Sequence, residues 1–404
     1  MPYPLELEFF NSFVIKGPGQ EFHVEESRMK GGFNEQSVDI GVRAWITDPE
    51  FTTVNRPNAI IYSGIYNSRT RTNNLNQFPV DKDITKAVDI QYGSIQHLFA
   101  EDTNLNIFQE EKVHRALIDK DAIYTAEGGR LTASAEAVIG EIISYGGNYG
   151  IGKNPESFAY FAGRKYFTDK PKGLVLRLSR DGVTEISNYG MRSFFRDNLS
   201  QSDVIQGSWD MYNQYYVISA TGTSSSFTVS FDETSNGWTS FWDFVTDEGS
   251  QSLDAQTYSF KAGQIWKHYA STVFSNFYGV QYDAYVDTVM NSDPSRSKNI
   301  LGINYEGTNT WDCINITTDT DSAYSVDKFD PVNQDLIISA FKRIDGKYFS
   351  YIVNSTPVQP NEVSFGEELS GIKGFWLNSR MRTQDSSKKQ ELFAVNGLVT
   401  INEY

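Results

Sequence analysis

The stretch Tyr160–Ser187, YFAGRKYFTDKPKGLVLRLSRDGVTEIS, reads as strand, tight turn, strand, turn, strand, turn, strand. Its apolar runs are dense in aromatic and β-branched residues, and the breaks at Asp169–Gly173 and Arg180–Gly182 carry the residues that turns demand. Four short consecutive antiparallel strands within about thirty residues make one blade of a β-propeller.

The same grammar recurs on both sides. Gln214–Phe244 (QYYVISATGTSSSFTVSFDETSNGWTSFWDF) repeats it, with Trp238 following an Asn236-Gly237 turn. Ser94–Asp119 gives a further unit, and Gln256–His268 starts another. A period of about 40–45 residues is that of propeller repeats. The reading is therefore all-β: one propeller body over 1–404 with six to eight four-stranded blades, and with residues 292–360 as an insertion or edge subdomain. Helical spacing is confined to Gly190–Leu199 and Asp81–Ala87. A β-sandwich or jelly roll is the rival, and it would require two or more domains here.

Composition narrows the function. The 404 residues include 27 Phe, 23 Tyr and 7 Trp, far too many for a disordered chain. With 35 basic and 51 acidic groups the net charge is −16, which argues against a surface built to grip nucleic-acid phosphates. The single Cys313 excludes an intrachain disulfide framework and a cysteine zinc site. The N-terminus MPYPLELEFF lacks the basic region of a secretory signal, and no apolar stretch is long enough to span a bilayer.

Four motifs are weighed for chemistry. Gly147–Lys153 has phosphate-loop spacing, but Asn154-Pro155 stands where the magnesium-binding hydroxyl belongs, so a connection between blades is expected. The turns Ser179–Thr184 and Thr234–Thr239 approach sialidase-type boxes, which mark turns rather than active sites. The acidic runs at Asp319–Asp321 and Asp243–Glu248 miss the calcium-loop pattern. His23, His97, His114 and His268 have no metal-ligand spacing. No enzyme, cofactor or metal is expected. The loop Ser68–Phe78, with Arg69 and Arg71 beside Asn73 and Asn74, is the candidate subunit-interface or ligand loop.

Between Gly32 and Asp197 the segments NAIIYSGIYNSRTRTNNLNQF, SIQHLFAEDTNLNIFQEEKVHRALIDKDAIYTAEGG and YGIGKNPESFAYFAGRKYFTDKPKGLVLRLSRDGVTEISNYGM resemble virion structural proteins of tailed bacteriophages. They are especially similar to propeller-bearing tail proteins, and the later segment QYYVISA…FTVSFDE…GWTSFWDF looks like the repeat grammar of phage tail nozzle and tail accessory proteins. The resemblance implies a structural part of the virion tail, made in the host bacterial cytoplasm. It implies a ring of copies, six-fold, assembled with other tail proteins, with viral DNA passing through unbound and no membrane partner. A receptor- or carbohydrate-binding propeller at the tail tip is the alternative that it leaves open.

Overall fold

The computed structural model describes residues 12–16, 22–26, 55–64, 66–78, 84–101, 104–124, 130–223, 225–246, 248–319, 326–327, 341–352 and 371–401. They are nearly all β. The chain divides into two compact units, Met1–Ile265 and Trp266–Tyr404, where the sequence leads one to expect a single body.

Unit 1 is a series of antiparallel sheets, the larger ones formed from consecutive strands in a propeller-like arrangement. The first sheet contains Ile95–Glu101, Asn104–Gln109, Val113–Tyr124 and Arg130–Ser144. The second contains Ala159–Phe161, Arg164–Asp169, Leu174–Ser179 and Gly182–Glu185, close to the reading of Tyr160–Ser187. The third contains Ser202–Asp210, Tyr215–Gly222, Phe227–Asp232 and Gly237–Trp242. A three-stranded sheet follows, beginning with Ser250–Leu253 and Gln256–Lys261. Six to eight blades were the expectation. The described residues of unit 1 supply three four-stranded sheets and this shorter one.

The second sheet is covered on both faces. Tyr166 and Val175 point into a core shared with the third sheet, among Ile205, Trp209, Tyr216 and Ile218. Their neighbours Phe167 and Leu176, with Leu178, point the other way, onto Phe108 and Val113 of the first sheet. Side chains alternate across a strand, so Tyr166–Phe167 and Val175–Leu176 must be apolar in both registers. Stacked rings fix the spacing: Phe161 lies on Trp209 at 4.3 Å and Tyr166 on Tyr216 at 4.8 Å. Each such ring pair is worth about 1 kcal/mol beyond its buried area. Trp238 also crosses between sheets, its indole donating to the Ile186 carbonyl at 3.0 Å.

The turns follow their residues. Asp169 accepts from the Lys172 amide, and Gly173 takes the left-handed conformation (φ 63°) that closes this turn. The helix at Arg192–Leu199 agrees with the expected one, and it buries Phe195 and Leu199 in the core between the second and third sheets. The helix expected over Asp81–Ala87 is not formed. Thr85–Ala87 is a strand paired with Ala59–Ile61, since Thr85 gains more from a ladder than from a single helical turn; residues 81–83 lie outside the described ones.

Unit 2 is a two-sheet sandwich. One sheet contains Ala284–Met290, Leu377–Thr383 and Asp312–Thr318, with Val326–Asp327 at its edge. The other is centred on Lys298–Gly307, which pairs with Lys347–Tyr351, Ile372–Gly374 and Leu392–Ile401. Ile300, Ile303 and Tyr305 of this sheet share a core with Cys313, Ile316, Leu377 and Met381 of its partner. Here each strand buries one face only, as in Ala284–Met290, where alternate residues are more exposed. The described strands within residues 292–360 pair with those of 372–401.

In the third sheet Gly207 lies against the short turn Pro155–Ser157. A Cβ there would fall 1.9 Å from the Ser157 carbonyl oxygen, which already accepts from the Tyr216 hydroxyl at 2.7 Å. Gly207→Ala is expected to cost about 3 kcal/mol, read as a lower urea midpoint with an unchanged slope.

Candidate functional site

Arg69 and Arg71 sit on the tip of a two-strand hairpin, Tyr66–Asn67 paired with Thr72–Asn73, and both are exposed. Asn73 spends its side-chain oxygen on the Leu75 amide within its own turn (3.0 Å). Asn74 packs against Gly64, where a Cβ would lie 2.7 Å from its own. The four residues therefore share one protruding hairpin, and two of them shape it rather than face a ligand.

The remaining motifs find local roles. Gly147–Lys153 connects the first sheet to the second, and a 3-10 turn at Pro155–Ser157 follows it rather than the α-helix of a phosphate loop. Gly150 sits so close to Glu110 that a Cβ would meet its carbonyl oxygen at 2.1 Å. Asp319 accepts from the Phe375 amide at 2.5 Å, while Asp321 lies outside the described residues. Among the described residues no three His, Cys, Asp or Glu side chains gather into a metal-binding group.

Two histidines of the first sheet are built into its packing. His97 lies against Phe158 with ring centroids 4.3 Å apart in a tilted arrangement. His114 lies between Gln109 and Ser144: its Nε2 meets Gln109 Oε1 at 2.7 Å and its Nδ1 meets Ser144 Oγ at 3.0 Å. The Gln109 amide nitrogen already donates to the Asp89 and Gly93 carbonyls, so Gln109 Oε1 accepts and His114 carries its proton on Nε2. Burial lowers both imidazoles below the ordinary histidine range, and at His114 the nearby Lys112 charge adds to the effect.

The sequence reading missed a polar constellation between the sheets. Glu233, in the turn after Phe227–Asp232, accepts from the Tyr166 hydroxyl at 2.6 Å and from Arg177 Nη1 at 2.6 Å, with Arg164 at 3.7 Å. Burial, and then the Glu233 carboxylate, push the Tyr166 phenol far above its ordinary value, so it stays a donor. On the opposite face of the second sheet Lys165 pairs with Glu101 of the first. Arg164, Lys165 and Arg177 line a cleft of about 830 Å³ together with Arg115, Asn106 and Tyr145 of the first-sheet segment. No local motif marks this cleft, because its residues converge from separate strands of two sheets.

Residues 273–355, inside unit 2, match the family model of the Crassvirus muzzle protein C-terminal domain. This supports a phage virion structural protein. The strands Leu377–Thr383 and Leu392–Ile401, which complete both sheets of the sandwich, lie beyond the matched segment. No curated protein matches the chain. Among solved structures, an exo-β-1,3-galactanase from Phanerochaete chrysosporium with β-1,3-galactotriose aligns over 84% of this chain and 100% of its own. The identity is 9% and the TM-score 0.20, so the likeness carries no argument.

Glu233→Gln removes the carboxylate from two arginines and is expected to destabilise the protein by about 2 kcal/mol, with Tyr166→Phe costing about 1 kcal/mol, both read by urea unfolding. A second expectation follows from the histidines. Their folded values lie below the ordinary 6.5, so the unfolded chain binds more protons as pH falls. The stability they contribute is full above that value and is lost below it. The urea midpoint should drop between about pH 7 and about pH 5.5, and His97→Phe should flatten part of that drop.

Proposed function

We propose that the protein is a non-catalytic structural component of a phage tail, of nozzle or hub type. On this reading it forms a homo-oligomeric, six-fold ring around the DNA exit channel and assembles with other tail proteins. The match of residues 273–355 to a Crassvirus muzzle protein domain is the observation that carries it.

Three features support the reading. The serial sheets of unit 1, covered face to face, suit blades of a rigid propeller, which resists the load that ejection puts on a tail. Unit 2 leaves large apolar side chains exposed on one sheet, among them Tyr351, Phe393 and Leu398, as subunit interfaces require. A net charge of −16 repels DNA phosphates, so a wall made of such chains would let the genome pass without adhering. The Arg69–Arg71 hairpin would then serve as a docking arm toward a neighbouring subunit.

Cryo-electron microscopy of intact particles tests this directly. The expected result is density for the chain in a symmetric ring on the tail axis. Density confined to peripheral spikes would replace the nozzle reading with host adsorption, and absence from the particle would remove both.

A further inference from the structure

The cleft between the first two sheets of unit 1 runs against the charge of the chain. Five cations line it: Arg115, Arg164, Lys165, Arg177 and Arg180. Glu101 and Asp181 are the carboxylates in its lining, and Glu233 reaches Arg164 and Arg177 from the third sheet. Positive charge is thus in excess here, inside a protein that carries −16 overall.

The arginines are also incompletely satisfied. Glu233 takes one Nη of Arg177, but the buried Arg177 Nε has no hydrogen-bond partner among the described residues. The buried Nε of Arg115 has none either, and Arg115 forms no ion pair with a described residue. Its cross-strand neighbours are Asn106 and Ile143, neither of them an anion. Asn106 is itself engaged, accepting from the Tyr145 hydroxyl at 3.2 Å. Guanidinium donors left without acceptors in a partly buried place are costly, and a planar oxyanion matches their fork. On the exposed surface of unit 2, by contrast, Arg380 is paired with Asp287 through two bonds of 2.7 Å.

We propose that this cleft binds a small polar molecule through an oxyanion, carboxylate or phosphate. Arg115 holds the oxyanion from the first sheet, and Arg177 lines the same volume from the second. Arg180, on the exposed turn between Leu174–Ser179 and Gly182–Glu185, draws it in from solvent. The volume of about 830 Å³ leaves room for a body of sugar size beyond the charged group.

The test is isothermal titration of the full chain with glucuronate, glucose 6-phosphate and glucose, three probes that share a ring and differ in charge. Saturable binding of either charged probe is expected, with glucose at least about tenfold weaker and affinity falling as salt rises. Binding of glucuronate alone identifies a carboxylate ligand, and of glucose 6-phosphate alone a phosphate. Arg115→Gln should weaken the binding about tenfold, and Arg180→Gln, at an exposed turn that the fold does not need, should weaken it severalfold. Glucose binding as tightly as the charged probes would overturn the proposal. So would no binding of either charged probe at about 10 mM, or unchanged affinity in both variants.

Discussion

Covering both faces of the second sheet is the constraint on which unit 1 depends. A sheet with one wet face can alternate apolar and polar residues, but Arg164–Asp169 and Leu174–Ser179 have no wet face over most of their length. Tyr166 and Phe167, adjacent in the chain, are both fully buried because each belongs to a different core. That arrangement requires a neighbouring sheet on either side. The first and third sheets are held in place by what the second presents to them.

Polar residues set the register that apolar burial alone leaves loose. Apolar packing is non-directional, so stacked sheets could slide on one another. Glu233 fixes the third sheet to Tyr166 and Arg177, and Lys165 fixes the second to Glu101. The far face of the third sheet uses hydroxyls instead. Ser250 bonds Ser208 at 2.5 Å, and Thr257 bonds Asp210 at 2.9 Å, so the next sheet is held by hydrogen bonds rather than by rings. The aromatic core therefore lies toward the second sheet, and packing becomes more polar away from it.

How much of this was legible depends on sequence distance. The meander Tyr160–Ser187 could be read because each strand pairs with the next and each turn has its own residues. The strand Arg130–Ser144 could not: RLTASAEAVIGEIIS is rich in alanine and glutamate, which favour helix, and it is a strand because the ladder from Val113–Tyr124 is available to it. The sandwich was hidden for a related reason. Asp287 and Arg380 face each other across strands with ninety-three residues between their numbers, and nothing local announces such a pairing. The candidate loop was placed on a hairpin, but the cleft escaped, since Arg115 and Arg177 come to line one volume only when two sheets stack.

That cleft bears on how a virion structural protein is to be understood. Arginine on an interior strand is a poor choice for stability alone: Ile143 and Asn106 flank Arg115, and an apolar residue would pack there without stranding a charged donor. Glu233 shows how the chain treats a charge kept for cohesion, with acceptors within 2.6 Å of both Tyr166 and Arg177. Arg115 receives no such treatment, although Glu101 also lines the cleft and is committed to Lys165. Two rules of charge placement thus operate within one pair of sheets. Lys165 and Arg177 are each matched by a carboxylate, whereas Arg115, which also lines the open volume, is left with a donor to spare. A protein of net charge −16 can hold this pocket without contradiction. Screening confines the field of a few arginines to about 8 Å at physiological salt, so the cleft selects what enters it while the surface beyond stays acidic.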